Sequence, residues 1–127
     1  MKTLLLSVLI ALSLASCKKV PYYGTASIKV TSTAPNPDIY IALYQGWINP
    51  APKDLIDPEN GYYCLGVVNK SEDSQKLPLG AYTVLVVDKN NFVYSFKKFV
   101  INDGDDIKIE KQLDQTGSYR TFALDGW

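Results

Sequence analysis

Three carboxylates surround one glycine at Asp103-Gly104-Asp105-Asp106. Hard anionic oxygens of this kind are the donors a calcium ion takes. The spacing is not that of an EF-hand loop and no distal glutamate completes the shell, while the same letters are those that favour a turn. A second possible chemistry lies in aromatic rings. Tyr44, Trp47, Tyr62 and Tyr63 flank a long stretch containing Pro50, Pro52 and Pro58. Flat rings at a loop end stack on sugar faces or anchor a protein partner as rigid contact area; the bland reading has them fill a core or cover its edge. Trp47 begins the loop and is the ring expected to be most exposed.

Nucleophilic catalysis has little to work with. The chain of 127 residues contains no histidine, which removes Ser-His-Asp and Cys-His activation, the common zinc sites and an imidazole pH switch. Cys64 sits in the apolar run Tyr62-Tyr63-Cys64-Leu65-Gly66-Val67-Val68 and reads as a buried structural thiol. Nearly every acid falls in a turn or on an exposed strand face, so no carboxylate pair for glycoside hydrolysis stands out. No phosphate loop, dinucleotide fingerprint or metal-ligand cluster is present. Thirteen basic side chains face thirteen acidic ones, leaving no excess to neutralise nucleic-acid phosphates. The sequence therefore predicts a protein that is not an enzyme, takes no cofactor and does not bind nucleic acid.

The first segment reads as an address. Lys2 precedes the apolar stretch from Leu4 to Leu12, which is too short to span ~30 Å of hydrocarbon and suits the h-region of an export signal. The string Leu14-Ala15-Ser16-Cys17 resembles the lipobox of bacterial lipoproteins. That resemblance implies cleavage after Ser16 and lipidation of the Cys17 thiol, with the new amine open to acylation as well; the plainer alternative is an ordinary secretory signal with a cysteine near its end. Two or three acyl chains hold a domain at a membrane essentially permanently, here in a bacterial cell envelope and by expectation at its outer membrane. Residues 1–16 are then signal, 17–25 a lipidated tether, 26–113 the domain and 114–127 a C-terminal extension. With Cys17 lipidated, Cys64 has no disulfide partner in the chain.

The body reads as strands. Ile28 and Val30 alternate with polar neighbours, and Ile39, Ile41 and Leu43 share one face while Tyr40, Ala42 and Tyr44 share the other. Period-two alternation marks a half-buried strand, and a strand apolar on both faces is central or covered. A third strand follows over 61–68, then a polar turn over 69–73. Further strands are predicted over residues 77–88, 92–101 and 106–113, separated by turns rich in Asn, Asp and Gly. In 92–101 the alternation slips between Phe96 and Phe99, which a bulge near Lys97-Lys98 accommodates. Residues 118–124 alternate well enough for one more edge strand, packed on this sandwich or added to a partner's sheet. The fold class expected is all-β, a single antiparallel β-sandwich of about seven strands.

The string Leu77-Pro78-Leu79-Gly80-Ala81-Tyr82-Thr83-Val84, followed by a hairpin and the final strand carrying Ile107 and Ile109, resembles the prealbumin-like Greek-key sandwich of carboxypeptidase regulatory-like and Cna B-type domains. The resemblance covers roughly residues 26–113 and speaks to fold rather than function. Gly80 would permit a tight turn into the strand, and Tyr82 would bury its ring while sending its hydroxyl to backbone. Some Cna B-type domains carry an internal Lys-Asn crosslink assisted by a buried acid. Here Lys29 is expected to point outward and Val86 stands where the acid would align, so no crosslink is expected. The functional expectation is a lipid-anchored, non-catalytic module meeting a protein partner, with glycan binding around Trp47 as the alternative.

Overall fold

The computed structural model describes residues 22–56, 63–114 and 121–127. Its strands are β1 (Tyr23–Ser32), β2 (Ile39–Gln45), β3 (Cys64–Val68), β4 (Glu72–Pro78), β5 (Gly80–Asp88), β6 (Val93–Ile101), β7 (Asp106–Leu113) and β8 (Ala123–Leu124). One helical turn, α1 (Lys53–Ile56), interrupts the proline-containing stretch. The strands form a β-sandwich of two sheets, β4-β1-β7 and β3-β2-β5-β6-β8. The chain is all-β, as its alternation predicts.

The strand pairing is not wholly antiparallel. β1·β7 and β6·β8 are parallel pairs, while the other neighbours run antiparallel. A tight hairpin enforces antiparallel pairing only between strands of one sheet. β6 and β7 lie in different sheets, so residues 102–105 form a crossing between layers, and β7 is free to land beside β1 in the same direction. The wholly antiparallel sandwich expected from the sequence is corrected accordingly.

Inner-face side chains of both sheets make one core: Ile28 and Val30 of β1, Ile41 and Leu43 of β2, Val84 and Val86 of β5, with Ile109 and Leu113 of β7. A second cluster lies on the far face of the five-stranded sheet, where Ala42, Tyr44, Leu85 and Val87 pack with Leu55 of α1. Tyr94 and Phe96 of β6 and Phe122 join this outer cluster. That arrangement removes the need for a bulge. The β5–β6 register runs unbroken from Gly80↔Ile101 to Asp88↔Val93, and Phe96 and Phe99 simply serve opposite faces, both of them covered.

Three boundaries move. β1 begins at Tyr23, so Tyr23 belongs to a strand rather than a tether, and the Lys76 ammonium sits 4.9 Å from its ring centroid. Residues 72–78, in part read as a turn, form β4, whose sequence is polar because it is an edge strand with only Leu77 fully buried. At the C-terminus Ala123 and Leu124 pair with Val93 and Tyr94 of this sandwich, while residues 118–120 of the expected edge strand lie outside the described residues.

Lys29 points outward, 3.6 Å from Glu72, and Val86 is buried in the core. Gly80 takes a positive φ of 148° at the turn into β5. Tyr82 buries its ring and its hydroxyl donates to the Pro78 carbonyl at 2.6 Å. Both features follow the expectation from the sequence.

Candidate binding surface

The loop after β2 is pinned by one buried hydroxyl. Gly46, at φ 89°, turns the chain, and its N–H donates to the Ala81 carbonyl at 2.7 Å. Thr83 Oγ donates to the Gly46 carbonyl at 2.7 Å and accepts from the Ile48 N–H at 3.0 Å. A hydroxyl that donates and accepts at once suits a buried position. The loop is thereby held against the outer face of β5, with Ile48 and Leu55 delivered to the second cluster.

Trp47 lies between those two anchors. Its indole N–H donates to the Phe99 carbonyl at 3.1 Å, which orients a ring left 60% exposed. Tyr63 is 58% exposed, and its carbonyl accepts from the Gln45 N–H at 2.7 Å. Both rings therefore stand at the end of the sheet where β2 stops and β3 begins.

Tyr44 does not join them. It is 1% exposed and packs with Leu55, Leu85 and Val87, because the loop roofs the face that Tyr40, Ala42 and Tyr44 share. Tyr62 and Cys17 lie outside the described residues. Cys64 is free and half-buried at the margin of the outer cluster, rather than fully buried, since β3 is an edge strand.

The Tyr44 hydroxyl is buried without a hydrogen-bond partner among the described residues. Burial first, then the neighbouring Cys64 thiol and Asp54 carboxylate, pushes its ionisation well above the ordinary tyrosine range. Tyr82 is shifted the same way by burial. Identical substitutions at the two positions should consequently differ in sign. Tyr44→Phe removes an unsatisfied buried hydroxyl and is expected to gain about 1 kcal/mol, whereas Tyr82→Phe orphans the Pro78 carbonyl and loses about 1 kcal/mol. Urea titration of both variants reads this directly. The folded chain also holds the Tyr44 proton to higher pH than the unfolded chain does. That contribution is complete below the unfolded tyrosine pKa of about 10 and is lost as pH rises above it, so Tyr44→Phe should flatten the alkaline decline in stability.

The acidic turn uses its own donors and acceptors. The Asp105 carboxylate accepts from the Asn102 N–H at 2.8 Å, and the Asp105 N–H donates to the Asn102 carbonyl at 3.1 Å. Gly104 takes φ 74° and donates its N–H to the Tyr23 carbonyl. No group of three Cys, Asp or Glu is placed to hold a metal among the described residues. Asp103 and Asp105 lie in this turn, and Asp106 opens β7.

Asp88 was not visible as special in the sequence. It is 0% exposed, and its Oδ2 accepts from Ser32 Oγ at 2.9 Å and Asn91 Nδ2 at 2.7 Å. Its Oδ1 accepts from the Asp38 N–H at 3.0 Å and the Asn90 N–H at 3.2 Å. One carboxylate thus joins the end of β1, the start of β2 and the β5–β6 turn. Only the meeting of three distant segments creates this site, and no local motif announces it.

Two concavities stand out among the described residues. A shallow depression of ≈ 620 Å³ on the outer face of β4-β1-β7 is lined by Ser27, Lys29, Glu72, Lys108 and Glu110. Its charges alternate across strands in open solvent, where such pairs are worth about 0–1 kcal/mol and converge on nothing. A narrower cleft of ≈ 140 Å³ opens at the sandwich edge between β3 and β4, lined by Leu43, Leu65 and Leu77.

Against known proteins, the chain matches no family model and no curated relative.

Proposed function

We propose that the protein is a lipid-anchored, non-catalytic lipoprotein of a bacterial cell envelope, serving as an interaction or accessory module. The observation that carries this reading is the distance from the lipobox-like Leu14-Ala15-Ser16-Cys17 to the folded domain. β1 begins at Tyr23, six residues after Cys17, so a lipid there would hold the sandwich at the bilayer surface rather than on a long stalk. The prealbumin-like kinship belongs to the same proposal, and the two-sheet architecture and the Tyr82 arrangement support it. Replacing Cys17 by Ser should leave an unprocessed precursor or release the protein to the soluble fraction. Unchanged detergent-phase partitioning of that variant would overturn the lipid anchor.

Glycan binding remains the second reading, on one observation. Trp47 offers an exposed ring already oriented by its bond to the Phe99 carbonyl, which lowers the ordering cost of stacking on a sugar. The surface it belongs to is smaller than the sequence implied, since Tyr44 is buried. Tryptophan fluorescence titrated with envelope and host polysaccharides should respond if this reading holds, and a flat response across a broad panel returns the module to the protein-partner class.

A further inference from the structure

The exposed apolar side chains are not scattered evenly. Tyr22, Trp47, Tyr63, Leu79 and Val100 are all exposed, and the strand registers place them at one end of the sandwich. Tyr23 pairs with Pro78 at that end of the three-stranded sheet, and Leu79 alone links Pro78 to Gly80 in the other sheet. There Gly80 pairs with Ile101, Ala81 with Val100, and Gln45 with Tyr82. Tyr63 bonds Gln45, and Trp47 bonds Phe99. The opposite end carries the polar network of Asp38, Asp88, Asn90 and Asn91. Among the described residues it has two exposed apolar side chains, Leu124 and Phe92, the latter resting on Phe122 with ring centroids 5.4 Å apart.

We propose that this end lies on the bilayer that carries the anchor, with Trp47, Tyr63 and Tyr22 at headgroup level. The inference rests on the lipid-anchor reading above and adds an orientation to it. Two observations converge. Tyrosine and tryptophan are the side chains that settle at a membrane–water interface, one edge apolar and the other wet. Tyr22 also stands five residues from Cys17, and five residues of extended chain reach at most about 18 Å. The lipid and the aromatic end therefore share the same side of the domain, and the tether is too short to carry the other end down.

Asp103 and Asp105 stand at this end as well, in the turn bonded to Tyr23 and Thr25. Set against Lys18 and Lys19 beside the anchor, they leave no net positive charge here, so the contact proposed is not driven by attraction to anionic lipid. It is apolar and interfacial, and a zwitterionic bilayer suffices for it.

The test uses the full-length lipidated protein carrying Trp127→Phe, so that Trp47 is the sole tryptophan. It is reconstituted into phosphatidylcholine liposomes with and without brominated acyl chains. The protein is expected to float with the liposomes, and brominated lipid should quench Trp47 emission about two-fold or more, with little dependence on salt. Adding Tyr63→Ser and Leu79→Ser, both at exposed positions, should weaken the quenching and leave flotation unchanged. Flotation with Trp47 still open to aqueous quencher overturns the docking and keeps the anchor. Failure to float overturns the anchor, and the docking with it. Protection of Trp47 by soluble polysaccharide but not by the bilayer overturns the docking in favour of a glycan site.

Discussion

Replacing Asp88 by alanine is expected to lower the unfolding free energy by about 3–4 kcal/mol, a large share of the 5–15 kcal/mol typical of a domain. The carboxylate is fully buried and accepts from four donors, Ser32 Oγ, Asn91 Nδ2 and the N–H groups of Asp38 and Asn90. Truncation leaves all four without the acceptor that a fully buried carboxylate supplies. It also frees the β5–β6 turn, which is docked on the β1–β2 loop further by Asn90 Nδ2 bonded to the Asn36 carbonyl at 2.7 Å. Asp88→Asn separates charge from shape. The retained Oδ1 keeps the two backbone donors, Ser32 can turn its hydroxyl to accept from the new amide, and Asn91 keeps only its longer bond to the Pro35 carbonyl, so about half the loss should remain. Urea midpoints at unchanged m-value measure both. An alanine variant within 1 kcal/mol of the parent would mean that the carboxylate is not the joint between these segments.

Leu85→Ala should cost about 2–5 kcal/mol, as truncation in a tightly packed core does. The position is informative because Leu85 faces away from the sandwich interior. It belongs to the outer cluster with Tyr44, Val87 and Leu55. If the 46–56 segment were a loose cover, the vacated space would collapse or fill with water, and the cost would fall toward that of a surface substitution. A value above 2 kcal/mol makes the outer layer a true second core. Leu55→Ala tests the same layer from the loop side, and the double variant should cost less than the sum of the singles because both open one shared cavity.

Much of this arrangement is legible in the sequence where a side chain's neighbours are fixed by alternation. The double-faced apolarity of β2 announces a covered central strand, and it lies between β3 and β5 with clusters on both sides. Gly80 and Tyr82 are legible because their roles depend on residues within a few positions. β4 is not legible, since an edge strand needs only Leu77 inside and otherwise looks like a polar turn. The apparent phase slip in β6 misleads for a related reason. Alternation identifies faces but not how many of them are covered, and a roofed outer face makes both parities apolar. The same roof withdraws Tyr44 from the aromatic surface and leaves Trp47 and Tyr63 on it. Asp88 depends on three segments meeting, which no window of sequence contains.

The parallel pairing of β1 with β7 has a consequence for how the chain comes to be folded. Thr25 lies beside Asp106 and Ser32 beside Leu113, so the first strand is completed by one made roughly eighty residues later, and closing so long a loop slows folding. β1's other partner, β4, is also distant, with Tyr23 opposite Pro78. No hairpin near the N-terminus can therefore lock β1 early. The three-stranded sheet is complete only when nearly the whole domain is present, and until β4 has been made β1 has neither of its partners. The export proposed above, which needs a chain still unfolded, is served by a β1 that is completed only by β7.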